Sequence, residues 1–161
     1  LSDEQEVVAN AFLDNEDLRR VVGHAGEGFA HFFPRAFDHS CQRMRELHDL
    51  LPDLRFPFER GLYPTVTING GPQTATHEHA DVGNSPGHPC FVYSAGNYDH
   101  TKSARFIMHD LRLVVDFPPY RTILVSSAGV RHSNTPLQAG ETRYSIAGYM
   151  TGSLMRYAAY G

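Results

Sequence analysis

The sequence contains no tryptophan and only two cysteines, Cys41 and Cys90, among its 161 residues. Two cysteines form at most one disulfide, which excludes a small secreted fold held together by several bridges. We therefore expect both to be free thiols in a reducing, intracellular compartment. The sequence also lacks an apolar run long enough to span a bilayer and a basic-then-apolar beginning of the secretory kind. We expect no membrane partner.

An excess of basic residues is missing as well. Fourteen lysines and arginines stand against eighteen aspartates and glutamates, for a formal charge of −4. This balance argues against a broadly basic surface that coats nucleic acid, although it is compatible with a local basic rim. Hydrophobic residues make up 41% and charged residues 20% of the chain, as in ordinary soluble globular proteins. The length suits one domain with a genuine core.

Hydrophobic periodicity divides this predicted single domain, residues 1–161, into two parts. Residues 1–60 predict supporting helices, one to about residue 22 and a second over 35–51, separated by a glycine-rich break at 23–28. Residues 61–161 predict seven or so short strands between turn-forming stretches, which is typical of a jelly roll. The candidate strands are 62–69, 79–81, 90–94, 104–108, 111–115, 121–126 and 142–151. The predicted fold class is mainly β with N-terminal helices.

A possible metal site begins with His79 and Asp81. In an extended chain these two side chains point to the same side, because side chains alternate with a period of two. A third ligand is predicted at His132, after a later strand. Two histidines and one carboxylate bind one face of Fe(II) and leave three positions open. A His-x-Asp pair alone is degenerate, so the ordered set of three carries the prediction.

A candidate anion site follows at Arg143 and Ser145, which share one side of the last predicted strand. An arginine fork can grip a dicarboxylate such as 2-oxoglutarate with two hydrogen bonds, and the serine offers a hydroxyl to the same carboxylate. A buried guanidinium without a partner would be costly, so the pair predicts an anionic ligand.

His77 raises a competing assignment, because His77 and His79 also form a His-x-His pair like that of a cupin. A cupin would want a glutamate three or four positions later, where Val82 and Gly83 stand. We therefore place His77 beside the ligands, as pocket wall or substrate contact. Weaker candidates for pocket contacts are Tyr63, Asn69 and Tyr93.

From about Tyr63 to its end, the chain resembles the Fe(II)/2-oxoglutarate-dependent dioxygenases, which are oxidoreductases with a double-stranded β-helix (a jelly roll). The resemblance implies hydroxylation of a C–H bond with O2 as co-substrate. It implies that His79, Asp81 and His132 hold the catalytic iron, while Arg143 and Ser145 bind the distal carboxylate of 2-oxoglutarate.

Asn84 stands three positions after Asp81, and Tyr149 stands six after Arg143. With these two residues the chain resembles, more narrowly, the TET/JBP branch, and the stretches 126–134 and 143–145 look most like compact fungal members. That branch oxidises the methyl group of 5-methylcytosine or thymine in nucleic acid, and acting on DNA would place the protein in the nucleus. The resemblance implies that Asn84 and Tyr149 bind the substrate base. Thr151 departs from the branch, whose better-known members have histidine there.

Two other functions stay open on the sequence alone. One is an oxygenase of a small metabolite or a protein side chain, which the acidic charge and short chain favour. The other is a non-catalytic jelly roll that binds metal. The sequence specifies neither the primary substrate nor the oligomeric state.

Overall fold

The computed structural model describes residues 2–53, 56–58 and 61–161; residues 1, 54, 55, 59 and 60 of the predicted helical part lie outside the described residues. The helices within these ranges are α1 (Asp3–Leu13), α2 (Glu16–Phe32), α3 (Pro34–Leu50) and α4 (Gly152–Tyr160). The strands are β1 (Thr65–Asn69), β2 (Cys90–Asn97), β3 (Phe106–Met108), β4 (Leu113–Val115), β5 (Arg121–Val125), β6 (His132–Asn134) and β7 (Thr142–Tyr149).

The N-terminal helices begin and end where their caps allow. Ser2 and Gln5 form a capping box at the start of α1. The predicted single helix to residue 22 is wrong, because Asn15 caps a new helix by accepting a hydrogen bond from the Leu18 amide at 3.1 Å.

The predicted break at 23–28 is also wrong, since α2 runs through it. Three glycines there cost roughly 1 kcal/mol each in a helix. The buried side chains of Val22, Ala25 and Phe29 offset that cost by packing into the core. Gly28 also lets the helix approach the sheet, since a Cβ there would lie only 3.3 Å from Leu124.

The strands form two antiparallel sheets, as expected for a mainly β fold with N-terminal helices. The first sheet has the order β1-β7-β2-β5, and the second has the order β4-β3-β6. Two such sheets with helices on one side are compatible with a sandwich or jelly roll. None of the described helices is long and apolar enough to cross a membrane.

Several predicted strand boundaries differ from the structure. The first strand begins at Thr65 rather than at residue 62, directly after Pro64, which lacks an N–H donor. Residues 79–81 form only an isolated bridge, between His79 and His132. The predicted strand over 142–151 ends at Tyr149, because the Thr151 side chain caps α4. Sequence analysis missed α4 and the three-residue strand β6.

The core lies on both faces of the first sheet. On its outer face, Phe91 and Met150 pack with Phe29 and Leu47 of the helices. On its inner face, between the sheets, a smaller cluster is formed by Phe106, Phe117 and Val125. Because β7 alternates, its odd-numbered residues from 143 to 149 point between the sheets, where a polar cavity opens. Both cysteines are free thiols, as predicted.

Candidate active site

The three predicted metal ligands come together at one edge of the second sheet. His79 and His132 exchange main-chain hydrogen bonds of 3.1 and 2.8 Å, so their rings lie with centroids 4.4 Å apart. The Asp81 amide bonds to the Ser127 carbonyl at 2.9 Å, which places its carboxylate beside them. One ligand atom from each of the three residues lies within 4.8 Å of the others.

Main-chain carbonyls orient both imidazoles. Nδ1 of His79 donates to the His77 carbonyl, and Nδ1 of His132 donates to the Val130 carbonyl, each at 2.9 Å. With Nδ1 protonated, Nε2 of each ring carries the free lone pair that a metal requires. Nε2 of His79 lies 3.3 Å from Oδ1 of Asp81. Two nitrogen donors and one carboxylate oxygen in this arrangement fit a divalent ion such as Fe(II).

A polar cluster holds the other carboxylate oxygen of Asp81. The Asn84 amide donates to Oδ2 of Asp81 at 3.4 Å and to the Ser127 hydroxyl at 3.2 Å. Ser127 in turn contacts the Cys90 thiol at 2.8 Å. Burial raises the pKa of Cys90, so the thiol stays neutral in this cluster. Sequence analysis missed Ser127 and Cys90, because neither belongs to a motif.

Ion pairs outside the cavity join the two segments that carry His79 and His132. Arg131 bonds to Glu78 at 2.6 Å and to Asp110 at 2.9 Å. Hydrogen bonds from Arg131 lower the pKa of Asp110. Since Glu78 and Arg131 directly precede the two histidine ligands, the pair ties the backbone segments that present them. These groups are well exposed, so each bond adds only a little stability.

Arg143 is almost fully buried, at 1% exposure, on the inner face of β7. Its Nε donates to the Ser94 hydroxyl at 3.0 Å and its Nη1 to the Thr74 carbonyl at 2.8 Å. Its guanidinium carbon lies 5.8 Å from the centre of the Phe117 ring. No ion pair joins it to a carboxylate among the residues that the structure describes. Burial lowers the pKa of this guanidinium, and the Tyr98 hydroxyl opposes the shift.

The second predicted anion-binding residue, Ser145, is buried beside this arginine. Its hydroxyl accepts a hydrogen bond from the Asn69 amide at 3.0 Å. Asn69 lines the cavity, whereas Tyr63 and Tyr93 contact the hydrophobic core instead. Sequence analysis did not find the Ser94 hydroxyl, which comes from a distant strand, or the Thr74 carbonyl, since a main-chain acceptor leaves no sequence signal.

A single cavity of about 390 Å³ joins these groups. The predicted site residues that line it are His79, Asp81, Asn84, His132, Arg143, Ser145 and Tyr149. The Tyr149 hydroxyl lies 3.1 Å from that of Thr67. His77 is exposed and is not a lining residue, so its contact with His79 comes from the main chain rather than from its imidazole.

Comparison with known proteins finds a similar fold but no related sequence. No family model matches the chain, and no curated protein matches it. Among solved structures, NgTET1 in complex with 5mC DNA is similar, with a TM-score of 0.54 and 14% sequence identity. The similarity covers 66% of this chain and 42% of the NgTET1 chain, so the chain spans less than half of NgTET1. At this identity the likeness shows a TET-like fold alone.

Proposed function

We propose that the protein is an Fe(II)- and 2-oxoglutarate-dependent dioxygenase, built on a double-stranded β-helix, that hydroxylates a C–H bond. One observation carries the proposal: the same cavity contains two imidazoles with a carboxylate and, separately, a buried guanidinium that no described carboxylate neutralises. A site for a cation and a site for an anion in one cavity fit a metal with an acidic co-substrate.

In this proposal His79, Asp81 and His132 hold the metal. Bound Fe(II), with 2-oxoglutarate, supplies the oxidising chemistry that transfers one oxygen atom of O2 to the substrate. The main-chain hydrogen bonds at Nδ1 orient both imidazoles, so that their Nε2 atoms are the ones that would hold the metal. Asn84 donates a hydrogen bond to Oδ2 of Asp81, so Oδ1 is the oxygen of this carboxylate that would hold the metal.

Arg143 and Ser145 bind the distal carboxylate of 2-oxoglutarate. An unpaired buried charge is costly, and a carboxylate that accepts two hydrogen bonds from the guanidinium offsets much of that cost. The buried Phe117 ring, whose centre lies 5.8 Å from the guanidinium carbon, helps to exclude water, which strengthens the attraction between the two charges.

The primary substrate in this proposal is a methylated nucleobase, with Asn84 and Tyr149 as its contacts in the cavity; His77 lies outside the cavity lining and would reach only a part of the substrate that extends beyond the cavity. The support is the TET-like fold, since NgTET1 was solved in complex with 5mC DNA. Both Asn84 and Tyr149 line the cavity and offer an amide and a phenol to a planar polar base.

A second candidate substrate is a small metabolite or a protein side chain. Of the described residues that line the cavity, Arg143 is the only lysine or arginine. With a formal charge of −4, the protein has little to neutralise the phosphates of a duplex. The remaining alternative is a module that binds metal without catalysis, and it predicts no consumption of 2-oxoglutarate with any substrate.

Succinate formation, followed by proton NMR in the presence of Fe(II), 2-oxoglutarate and air, tests the proposal. Oligonucleotides with 5-methylcytosine or thymine are supplied, and mass spectrometry reports oxidised bases. We expect succinate to form with the native protein and with Asp49→Ala, whose carboxylate is exposed on α3 away from the cavity, and not with Asp81→Ala. Succinate without an oxidised base would favour the second candidate substrate, a small metabolite or a protein side chain. Equal succinate from Asp81→Ala would contradict the proposed dioxygenase activity at this site.

A further inference from the structure

Helix α1 leaves its most apolar side largely uncovered. Its half-buried side chains are Ala9, Asn10 and Leu13, and Leu13 packs against the core. Val7 and Val8 are 68% and 67% exposed, and Phe12, four positions after Val8, is also exposed. A surface helix normally buries its apolar stripe, so this stripe is suited to a contact that the described part of the chain does not make.

The stripe forms one wall of a groove of about 560 Å³. The α1 groove, as we name it, is lined by Val7, Val8, Ala11, Phe12, Asn15, Asp17, Leu18, Val21, Tyr93 and Ile146. Its floor is the outer face of the first sheet, because Ile146 alternates with Ser145 and Ala147, which line the cavity on the inner face. An occupant of the groove therefore lies across the sheet from the candidate active site.

The charges around the α1 groove are mostly negative. The first eighteen residues contain six aspartates and glutamates and no lysine, arginine or histidine. Glu4 shares the stripe with Val7 and Val8, being three and four positions before them, and Asp17 lines the groove near the start of α2. Two arginines of α2 offset part of this charge: Arg19 pairs with Asp14 at 3.0 Å, and Arg20 lies 3.9 Å from Asp17. The groove region therefore keeps an excess of carboxylates.

This charge pattern distinguishes between the possible occupants of the α1 groove. A second copy would bring a second set of carboxylates against the first, and an anionic membrane would be repelled in the same way. We propose that the α1 groove binds an amphipathic helix of a basic protein partner, with apolar side chains at positions i, i+3, i+4 and i+7 and lysine or arginine near its ends. The eleven residues of α1 span about 16 Å, so the partner helix needs about three turns.

Fluorescence anisotropy with two labelled synthetic peptides tests this inference. Both are fourteen-residue amphipathic helices with leucine at the stated spacing; one carries lysines near its ends and the other glutamates. We expect the native protein to bind the lysine peptide at least tenfold more tightly than the glutamate peptide. The double variant Glu4→Lys with Asp17→Lys should bind the two peptides within about threefold of each other, because the two substitutions remove most of the negative excess beside the groove.

Single variants place the binding in the groove. Val8→Asp should weaken binding of the lysine peptide at least tenfold, and the milder Val7→Ser about threefold. Val114→Asp is the matched control, since Val114 is an exposed valine on β4 outside the groove, and it should leave binding unchanged. Circular dichroism confirms that each variant is folded, which we expect because all three positions are exposed.

Three results would overturn the inference. One is equal affinity for the two peptides; another is equal weakening by Val8→Asp and Val114→Asp. The third is a dimer in light scattering that Val8→Asp dissociates, since a second copy would then occupy the groove. None of these results depends on iron or 2-oxoglutarate, so the proposed activity stands or falls separately.

Discussion

The two ends of the cavity differ in sign, exposure and the way they are held. At the metal end, the side chains of His79 and Asp81 are each 38% exposed, and main-chain hydrogen bonds fix most of the geometry. At the arginine end, Arg143 is buried and is held by one side-chain hydroxyl and one carbonyl. The more exposed metal end offers lone pairs to a cation, and the buried arginine end offers N–H donors to an anion.

The difference indicates how one ligand could satisfy both ends. A molecule with a carboxylate at one end and a metal-chelating group at the other would compensate the guanidinium and complete the metal site. 2-Oxoglutarate has this form. The two ends should therefore respond to different variants, and the following predictions separate them, from the largest expected effect to the smallest.

His132→Ala should damage the metal end alone. Removing one of three ligands leaves two donors, so we expect affinity for Co(II), measured by its visible absorption without 2-oxoglutarate, to fall at least a thousandfold. Arg143→Lys in the same titration should stay within twofold of the native protein. Equal losses in both variants would mean that the two ends are not separate sites.

Acid should destabilise the fold from a position outside the cavity. His88 is fully buried between helices and sheet, with Nδ1 2.9 Å from the Ser40 hydroxyl, and burial lowers its pKa from 6.5 to about 4. A depressed pKa means that the unfolded chain binds the proton more readily. The contribution is fully present above pH 6.5 and is lost as the pH falls toward 4, at a cost of about 3 kcal/mol.

Urea unfolding at pH 7 and at pH 4.5 measures this loss. His88→Gln should be less stable at pH 7 but should show a smaller decrease between the two pH values. The same decrease in both proteins would assign the acid sensitivity to other groups, including those at the cavity.

Arg143→Lys should weaken the arginine end. Lysine keeps the charge but loses the fork that donates two hydrogen bonds, so we expect the KM for 2-oxoglutarate to rise about thirtyfold, equivalent to about 2 kcal/mol. The exposed Arg112→Lys is the matched control and should leave the KM unchanged. A KM within twofold of the native value for Arg143→Lys would contradict binding of the 2-oxoglutarate carboxylate at the arginine end.

Asn84→Ala should have the smallest effect at the metal end. It frees Oδ2 of Asp81 and leaves the Ser127 hydroxyl without this donor. We expect Co(II) affinity to fall about five- to tenfold, less than for a ligand, because the bond to Asp81 is long. Asn134 also lines the cavity, and Asn134→Ala is the control that should leave Co(II) affinity unchanged. Unchanged Co(II) affinity in Asn84→Ala would restrict Asn84 to substrate contact.

How far the sequence alone predicts each end also differs. His79 and Asp81 form a short motif in which a period of two predicts that both side chains share one side, His132 is predicted from its place in the ordered set, and the structure brings the three together. Arg143 and Ser145 follow the same rule. The Ser127 and Ser94 contacts arise from distant segments, so no local pattern indicates them.

The fold shows the same limit. The capping box at the start of α1 joins Ser2 and Gln5, three positions apart, so it is a signal that the local sequence carries by itself. The glycines at 23–28 predict a break because local propensity is poor, but packing of Val22 and Phe29 against distant residues outweighs it. The strand β6 has only three residues, and it exists because it pairs with β3. The sequence carries no periodicity over so short a segment.

An anaerobic titration of Fe(II) and 2-oxoglutarate, followed by visible absorbance, tests the central claim most directly. If one cavity holds both, a metal-to-ligand charge-transfer band should grow and saturate with 2-oxoglutarate, be absent in Asp81→Ala, and require about thirtyfold more 2-oxoglutarate in Arg143→Lys. No band in the native protein, or the same titration curve in Arg143→Lys, would contradict the claim that the two ends bind one co-substrate together.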